Sequence, residues 1–402
     1  MKLSIRKLTT KEELLEAQKV IAISFLNPWE EEEAIREAEN PSGEVWGAFI
    51  GNRMVAAATT LRHEMTFEGG VFPCGEIHML GTLPEARGSG AAGKLVGEIL
   101  QDYRLRGDLF TFLIPFSFAF YRRYGFELAS EMLLLEADIF QFASFSGSLI
   151  PKQVACQEEA DEARELYRKF ALAYNLALLK GEEAWTLGEN GEVGKRDWQY
   201  MDKQSYSYLF YDENVEARAY LSFVFVPGPD GPFTGKMAVT ELFFDSPRAL
   251  RSVFAFMYGM RAKIRKVSLC LPRDLDVSYL LPEPDKAERR LDGHLMVRAL
   301  DVSRVLSSLR MPKGEGEYSL RVVDEFFSEN TGTYTVSFAE GRVREVRKGE
   351  EEADLTVTEE TFVMLSTGFI DLAGALYREG SCLAGKEEVL RQVFGRKPVL
   401  LC

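Results

Sequence analysis

Cysteine and histidine are scarce in this sequence, and their arrangement argues against several kinds of catalytic site. The five cysteines are scattered over 402 residues, and no two of them have the spacing of metal ligands. Neither an H-x-x-x-H nor a C-x-x-C pattern occurs, so we expect no metal centre. Ser117 has no accompanying histidine and aspartate pattern, which argues against nucleophilic catalysis. The odd number of cysteines favours a reducing, intracellular environment.

Long apolar runs and a surplus of basic residues are also missing. No segment approaches the roughly 18 apolar residues of a membrane span, and the charged first residues lack the apolar stretch of a signal peptide. The net charge of −14 argues against partners such as nucleic acid or an anionic membrane. We therefore expect a cytoplasmic protein. The acidity suits a cationic substrate, although it also promotes solubility.

The length of the chain and the order of its elements predict three domains, because 402 residues are too many for one hydrophobic core. A helix, several strands, a helix and a strand follow one another up to about residue 145, and the same order recurs from 157 to 271. Beyond an Asp-, Glu- and Pro-rich boundary at 276–292, strands precede helices, beginning with a strand at 296–302. The predicted domains are 1–145, 146–290 and 291–402.

One segment carries most of the functional information, namely L-P-E-A-R-G-S-G-A-A-G-K-L at 83–95. An apolar strand (77–83) leads into a glycine-rich turn, and a helix (93–106) follows without a break. Such a helix start presents unpaired backbone N–H groups and partial positive charge, which suit a diphosphate. A side chain at Gly88 or Gly90 would obstruct a phosphate that approaches the backbone.

Three alternatives apply to this loop. It lacks the G-x-x-x-x-G-K-[ST] of a P-loop and the G-x-G-x-x-G of a dinucleotide fold. An ordinary glycine-rich turn is the remaining alternative. At the equivalent junction of the second copy the chain reads F-F-D-S-P-R-A-L, without glycine, and Asp245 would repel a diphosphate. We therefore expect one nucleotide site, in the first copy.

The R-x-x-G-x-A loop at 87–92, together with F-Y-R-R-Y-G-F at 120–126, resembles the GCN5-related N-acetyltransferase (GNAT) superfamily. The layout of the whole chain resembles the narrower Eis (enhanced intracellular survival) group. The resemblance implies a mixed α/β (α+β) fold with two tandem GNAT-like domains and a sterol-carrier-like C-terminal domain. Only the first GNAT domain would bind acetyl-CoA as co-substrate. It also implies a homo-oligomer, of which hexamers are the form suggested.

The resemblance assigns roles to individual residues of the first domain. Tyr121 matches the general acid that protonates the departing thiolate. The alternative is an aromatic core residue, and Tyr124 is the substitute acid. The residues that match cofactor-binding positions are Leu80, Thr82, Arg87, Gly88, Ser89, Gly90, Ala91 and Ala92.

The general base and the acceptor pocket depart from the family pattern. Eis-type enzymes resemble one another in using the C-terminal carboxylate as base, here that of Cys402, but this chain ends only four residues after Pro398. His78 is a strand histidine that either relays a proton through water or serves the structure. An acidic residue of the family pocket is here the neutral Asn27. Pocket walls are expected from Phe25 and Trp29, for which core packing is the alternative.

These observations predict an acetyl-CoA-dependent N-acetyltransferase that moves an acetyl group to a primary amine by direct attack in a ternary complex. The acceptor would be a small molecule or a peptide. A rival enzyme would use a longer acyl-CoA, or acylate a protein N-terminus or a lysine. The alternative from another class is a catalytically idle protein of the same fold that senses CoA or binds lipid. The identity of the amine does not follow from the sequence.

Overall fold

The computed structural model describes residues 3–188, 193, 203–228 and 231–400, with backbone alone at 231–233 and 294. By its internal contacts the chain divides into two compact units, Met1–Ala129 with His294–Arg396 and Ser130–Gly293 with Lys397–Cys402. None of the described helices is long and apolar enough to span a membrane. Contacts define these units, so the domain limits 1–145, 146–290 and 291–402 stay predictions.

Helices and strands alternate along both units. The helices are α1 (Lys11–Phe25), α2 (Glu31–Glu39), α3 (Ala91–Arg106), α4 (Phe118–Arg122), α5 (Gln157–Ala171), α6 (Pro247–Gly259), α7 (Val302–Ser308), α8 (Glu359–Ser366), α9 (Leu372–Ala375) and α10 (Glu387–Val393). The strands are β1 (Leu3–Lys7), β2 (Glu44–Ile50), β3 (Arg53–Phe67), β4 (Gly70–Thr82), β5 (Phe110–Leu113), β6 (Glu127–Asp138), β7 (Ile150–Gln153), β8 (Leu178–Leu179), β9 (Ser205–Tyr211), β10 (Ala217–Gly228), β11 (Gly231–Phe244), β12 (Ile264–Pro272), β13 (Glu288–Ala299), β14 (Glu315–Val323), β15 (Gly332–Ala339), β16 (Arg342–Gly349), β17 (Leu355–Thr358) and β18 (Cys382–Leu383).

The first unit contains a sheet in the order β1-β2-β3-β4-β5, and β5 pairs further with the end of β13. The strands from β1 to β4 are antiparallel, whereas β4 and β5 are parallel. The second neighbour of β5 in this sheet is β13, which lies far along the chain; Met296–Ala299 pair with Leu113–Phe110. The prediction of a strand at 296–302 is wrong at its end, since Val302 begins helix α7.

Two irregularities of β4 shape the sheet where the glycine-rich loop begins. Strands β4 and β5 pair only from Cys74 to Glu76, although β4 continues to Thr82, so the end of β4 is not paired with β5 among the described residues. The register of β4 with β3 skips His78, since it passes from Thr60↔Ile77 to Thr59↔Met79. Such a β-bulge bends its strand and redirects a side chain.

Helices α1 and α3 pack on this sheet as their sequence patterns predict. Thr10 caps α1, its hydroxyl oxygen accepting from the N–H of Glu13 at 3.3 Å, as expected for a threonine before a helical pattern. Gly81 lets α1 approach β4 closely, since a Cβ there would lie 2.7 Å from the Ser24 hydroxyl. The buried residues of α3 recur with helical spacing; they are Ala91, Leu95, Val96, Ile99, Leu100 and Tyr103.

The first unit also holds a second sheet, in the order β16-β15-β14-β17-β18. A buried ion pair connects β13 to the segment after β14, because Arg298 Nη2 lies 2.6 Å from Asp324 Oδ2. The other terminal nitrogen of Arg298 donates to the carbonyl oxygen of Tyr124. Met296, Leu300 and Phe327 lie in one apolar core with α1, α3 and β2–β4. Residues 294–396 therefore contribute to the core of the first unit.

The second unit contains strands in the order β6-β12-β11-β10-β9-β7, with β11 and β12 parallel. Helix α6 starts at Pro247 after a Ser246 cap, as the sequence predicts. The predicted helix at 157–179 is shorter, since α5 ends at Ala171. Near the C-terminus, Val399 forms a bridge with Asn175, and the N–H of Leu400 donates to the Asn175 carbonyl oxygen at 3.0 Å.

Candidate active site

The glycine-rich loop between β4 and α3 depends on two residues with left-handed backbone. A single 3₁₀ turn at Pro84–Ala86 follows the strand, and the N–H of Ser89 donates to the Ala86 carbonyl oxygen at 3.2 Å. Gly88 and Gly90 both have φ of +82°, a conformation that other residues seldom adopt. Gly90 directly precedes α3. The glycines are thus required by the turn itself.

Several amides at the start of α3 have no hydrogen-bond acceptor in the part of the chain that the structure describes. Among the described residues none accepts a hydrogen bond from the N–H groups of Gly88, Gly90, Ala92 and Gly93. The N–H of Ala91 has a weak contact, 3.4 Å from the Ser89 hydroxyl. Because α3 runs for 16 residues, its dipole adds partial positive charge where these amides lie. An anion at this position would satisfy them.

The space and the charge around the loop also suit a diphosphate. A Cβ built on Gly88 or Gly90 meets no atom within 4 Å, so the backbone there is open to a ligand. Arg87 is exposed, as is Lys94 in the first turn of α3. Within the described part of the chain neither cation has an ion-pair partner; the neighbouring pair joins Arg53 to Glu85. The residues present therefore fit the diphosphate of a CoA-type molecule.

The strand that leads to the loop offers backbone groups as well. Leu80 and Thr82 are half-buried on the part of β4 that extends past its pairing with β5. Thr82 pairs with Ala56 on β3 and Leu80 with Ala58. An extended arm lying along the open edge of β4 could pair with this backbone as an added strand does.

Tyr121 lies in the short helix α4 within a group of aromatic rings. Its side chain is buried, and its ring is 5.2 Å from that of Phe116 and 5.0 Å from that of Phe120, between centroids. Its hydroxyl group has no hydrogen-bond partner among the described residues. Burial raises the pKa of Tyr121 above its ordinary value, so the phenol keeps its proton at neutral pH. Both the catalytic and the core-packing interpretation agree with this position.

Tyr124, the substitute acid, instead contacts the start of α3. A Cβ on Gly93 would lie 2.1 Å from the Tyr124 hydroxyl oxygen, so that the hydroxyl occupies the space which the missing side chain leaves. Burial raises the pKa of Tyr124. The sequence analysis did not assign a role to Gly93. The sequence signal for Gly93 is that it is a third glycine after Gly88 and Gly90. The structure explains it by the close approach of the Tyr124 side chain to α3.

A cleft of about 460 Å³ opens between α1, α2 and β4. Asn27 and Trp29 line it, as predicted for the acceptor pocket, whereas Phe25 does not and is instead 46% exposed at the end of α1. His78 and Met79 line the cleft from β4. Leu80 is the next residue of β4, about 3.3 Å further along the strand. The carboxylates on the cleft are Glu30, Glu33 and Glu37.

Two histidines and a glutamate form a hydrogen-bonded group beside this cleft. Glu76 accepts from His63 Nε2 through Oε2 and from His78 Nδ1 through Oε1, at 2.7 Å in each case. Burial raises the pKa of Glu76, but the two histidine hydrogen bonds outweigh it and lower that pKa to about 2. Of these three residues, only His78 is a functional candidate by sequence alone; Glu76 and His63 are not. Residues i and i+2 of a strand share a face, so Glu76 could have been found beside it.

The equivalent helix start in the second unit offers no comparable site. Ser246 caps α6, its hydroxyl oxygen accepting from the N–H of Ala249 at 3.3 Å. The preceding Asp245 lies 3.1 Å from Arg218 Nη1. A carboxylate therefore occupies the position where the first unit presents glycine backbone. Among the described residues, no three His, Cys, Asp or Glu side chains are grouped to hold a metal ion.

The predicted base, Cys402, lies outside the described residues. The last described residues, Val399 and Leu400, are held in the second unit; the N–H of Val399 lies 3.2 Å from Asp274 Oδ2. The assignment of the C-terminal carboxylate stays a prediction. So do the other site assignments, since the geometry agrees with them without testing them.

Family models match three parts of the chain. An acetyltransferase (GNAT) domain matches residues 4–129, a second acetyltransferase (GNAT) domain matches 182–299, and a sterol carrier protein domain matches 302–401. These matches confirm the predicted mixed α/β fold and the resemblance to the GNAT superfamily. A comparison with curated protein sequences gave no match.

Solved structures with the same fold cover the whole chain. A GCN5-related N-acetyltransferase from Anabaena variabilis is 21% identical with a TM-score of 0.83, covering 100% of this chain and 99% of its own. A probable N-acyltransferase from Enterococcus faecalis is 18% identical, with a TM-score of 0.85 and 100% coverage of both chains. Eis1 from Mycobacterium abscessus is 16% identical, with a TM-score of 0.80 and 99% coverage of both. At these identities the comparison shows the fold.

The chain is therefore a GNAT-type protein, built from two acetyltransferase domains followed by a sterol carrier protein domain. The fold is shared with Eis1 from Mycobacterium abscessus over 99% of both chains.

Proposed function

We propose that the protein is an acetyl-CoA-dependent N-acetyltransferase that acetylates a primary amine by direct attack in a ternary complex. The observation that carries this proposal is the start of α3, where unpaired amides and two exposed cations surround open space. Strand β4 joins this start to an amine-sized cleft with an acidic wall. A donor site and an acceptor site thus follow one another along a single strand.

The residues that would hold acetyl-CoA are those of the loop and of the end of β4. The amides of Gly88, Gly90, Ala92 and Gly93, with Arg87, would bind the diphosphate. The backbone at Leu80 and Thr82 would orient the pantetheine arm. When bound, acetyl-CoA supplies an acetyl group activated as a thioester.

Tyr121 is the proposed general acid. An ordinary phenol is of similar basicity to a thiolate. Burial makes Tyr121 a weaker acid than an ordinary phenol, but it keeps the proton on the hydroxyl at neutral pH, where the departing thiolate can take it. Its aromatic neighbours hold the ring in place without using its hydroxyl group. The acid is therefore positioned by packing.

The acceptor we propose is a cationic small molecule or peptide amine. Glu30, Glu33 and Glu37 would attract an ammonium group electrostatically, and the Trp29 ring offers a face for a cation. Lys19 already lies 5.5 Å from the centroid of this ring. The neutral Asn27 contributes a hydrogen bond rather than a charge.

A second candidate function is a catalytically idle protein that senses CoA or carries lipid. The match of residues 302–401 to a sterol carrier protein domain supports it. A larger cavity of about 690 Å³ in the first unit lies partly in this domain, but its lining is rich in charge. Arg122, Glu127 and Arg378 form ion pairs there, which suits an apolar lipid poorly.

The test is an assay of CoA thiol release from acetyl-CoA across polyamines, aminoglycosides and peptides, combined with calorimetric binding of acetyl-CoA. Gly90→Asp should weaken binding at least 100-fold, because like charges about 4 Å apart near a protein surface repel by roughly 4 kcal/mol. Gly51→Asp is the matched control, since Gly51 has a φ of +64° and equally open surroundings.

The outcomes separate the two functions. Turnover of at least one amine, lost in Gly90→Asp and kept in Gly51→Asp, supports the enzyme. Binding of acetyl-CoA without turnover of any amine supports the sensor. Equal binding by both aspartate variants would remove the loop from the site.

A further inference from the structure

The group formed by His63, Glu76 and His78 lies beside the acceptor cleft and has no role in the mechanism described so far. His78 lies on β4 and lines the cleft together with Asn27 and Trp29. Glu76 precedes it by two residues on the same strand, and His63 lies on β3. The side chains of Glu76 and His63 are 14% and 27% exposed, whereas that of His78 is 47% exposed. Of the three side chains, that of His78 is the most exposed to solvent.

The bulge explains why His78 reaches the cleft. Because the register with β3 skips this residue, His78 is the extra residue of the bulge and its side chain is directed by the local bend. Its Nδ1 lies 2.7 Å from a carboxylate that can only accept hydrogen bonds when ionised. The neutral imidazole therefore carries its proton on Nδ1. Its lone pair is on Nε2, the atom that can accept a proton.

Glu76 is suited to orient His78 without competing for that proton. Hydrogen bonds from both histidines lower its pKa to about 2, although its burial acts in the opposite direction. It therefore stays ionised throughout the neutral range. The ring of His63 packs against Phe112, 5.6 Å between centroids, which fixes the second hydrogen bond on Glu76. A partly buried carboxylate thus orients the histidine through a hydrogen bond to Nδ1.

We propose that His78 is the general base of the acetyl transfer, and that Glu76 and His63 are its positioning residues. This inference rests on the proposed function. It names a base from the described residues in place of the C-terminal carboxylate that the family resemblance implies.

The protons of the reaction balance with His78 and Tyr121 as the two participating groups. His78 takes one proton from the ammonium group, directly or through one water molecule, and passes it to solvent. The freed nitrogen then forms its bond to the carbonyl carbon while the carbon–sulfur bond breaks. The sulfur receives a proton from Tyr121, which regains one from the nitrogen as the amide forms. In all, one ammonium and one thioester give one amide, one thiol and one proton in solution.

Kinetics of three single variants and one double variant test the assignment across the same amine panel. His78→Gln should reduce kcat at least 100-fold with acetyl-CoA affinity unchanged, the lower end for loss of a general base. Glu76→Gln should cause a comparable loss, because an amide can donate to Nδ1 and move the imidazole proton to Nε2. His63→Gln keeps a donor for Glu76 and should lose less. The double variant of His78 and Glu76 should be no worse than His78→Gln alone.

The pH profile provides a readout that a structural role would not move. Histidine changes charge between pH 5 and 8, so kcat/KM of the wild type should fall on the acidic side of that range. His78→Gln should abolish this acidic limb. Among the described residues, the titratable groups of this cluster and of the cleft are Glu76 and His63, and Glu30, Glu33 and Glu37. All of them remain in the variant, so a limb that persists there belongs to a group other than His78 and overturns the proposal.

A second measurement needs neither acetyl-CoA nor an amine. With only three histidines in the chain, ¹⁵N-histidine NMR can assign His78 by comparison with His78→Gln. The wild type should show the Nδ1–H tautomer at neutral pH, and Glu76→Gln should convert it to Nε2–H. An Nε2–H tautomer in the wild type overturns the proposed orientation.

The failure of this proposal can be told from the failure of the proposed function. An active wild type whose turnover and acidic limb survive in His78→Gln overturns the base assignment alone. A wild type that neither binds acetyl-CoA nor releases thiol with any amine overturns both. Extension of the chain past Cys402 adds a contrast, because a base at His78 predicts retained activity and a C-terminal carboxylate predicts its loss.

Discussion

Tyr121 combines a buried phenol ring with a hydroxyl group that no described residue uses. Tyr121→Phe should therefore leave the stability of the fold nearly unchanged, because no protein hydrogen bond is lost. If the hydroxyl protonates the departing thiolate, kcat should fall by about 100-fold while acetyl-CoA affinity stays the same. Thermal unfolding, calorimetry and thiol release measure the three quantities. Tyr124→Phe is the matched control, and a larger loss of kcat there would transfer the acid to Tyr124.

Glu359 is a buried carboxyl group at the start of α8, and neither of its oxygens has a hydrogen-bond partner among the described residues. Burial raises its pKa well above the ordinary value, and the charge of Arg298 offsets this only in part. The folded state thus holds a proton that the unfolded state releases above about pH 4.3. By linkage, stability falls as pH rises between the two pKa values, by about 1.4 kcal/mol per pH unit.

Glu359→Gln should remove this dependence, because glutamine has no proton to release. We expect the variant to gain stability relative to the wild type as pH rises from 4 to 7, with little difference at pH 4. Urea unfolding at several pH values measures it. A difference that does not change with pH would show that Glu359 ionises normally in the folded protein.

At the scale of secondary structure, the first turn of α3 has a glycine, Gly93, where the Tyr124 side chain approaches the helix. Glycine inside a helix is less favourable than alanine by about 0.5–1 kcal/mol, yet Gly93 leaves room for the Tyr124 hydroxyl oxygen. A Cβ there would lie 2.1 Å from that oxygen but 3.4 Å from ring carbon Cζ. The obstacle to a side chain at Gly93 is therefore the hydroxyl group rather than the ring.

This geometry predicts that Gly93→Ala changes the free energy of unfolding in opposite directions in the wild type and in Tyr124→Phe. Gly93→Ala alone should destabilise the protein and weaken acetyl-CoA binding, because α3 or the tyrosine must shift. In a Tyr124→Phe background the same substitution should stabilise by about 0.5–1 kcal/mol, the ordinary gain of alanine over glycine. A double-mutant cycle of chemical unfolding measures the coupling. Additive effects would contradict the contact.

The strand, loop and helix around residues 77–106 could be predicted from the sequence because their signals are local. Glycines, a proline and helical spacing fall within one segment, and the structure places β4, the turn and α3 there. The histidine group could be predicted only in part. Glu76 and His78 share a strand, but His63 joins them through a register with a bulge, and no local pattern reports register.

At the scale of the whole molecule, the pairing of β13 with β5 could not be predicted. Residues 296–302 are predicted as part of a third domain, whereas Met296–Ala299 pair with β5 in the sheet of the first unit. Pairing between segments almost 200 residues apart leaves no periodic signal in either of them. The order of the domains could be predicted, because each domain has its own succession of helices and strands. The segments that share one hydrophobic core could not be predicted.

This long-range pairing predicts that residues 1–145 will not fold alone. The fragment lacks the partner of β5 and three fully buried core residues, Met296, Leu300 and Phe327. Burial of each is worth about 1.5–3 kcal/mol, against a total stability of about 5–15 kcal/mol for a domain. It also lacks Arg298, which binds the Tyr124 carbonyl oxygen next to α4. The unpaired edge of β5 would in addition favour aggregation.

We expect the fragment to be insoluble or to show no cooperative thermal transition by circular dichroism, while the full chain unfolds cooperatively. Its control is the full chain with Met296→Ala, which keeps β13 and removes one buried side chain. That variant should lose about 2–5 kcal/mol and still bind acetyl-CoA. A fragment 1–145 that folds cooperatively and binds acetyl-CoA would show that the first acetyltransferase domain is autonomous. Residues 294–396 would then pack on that domain without being needed for its folding.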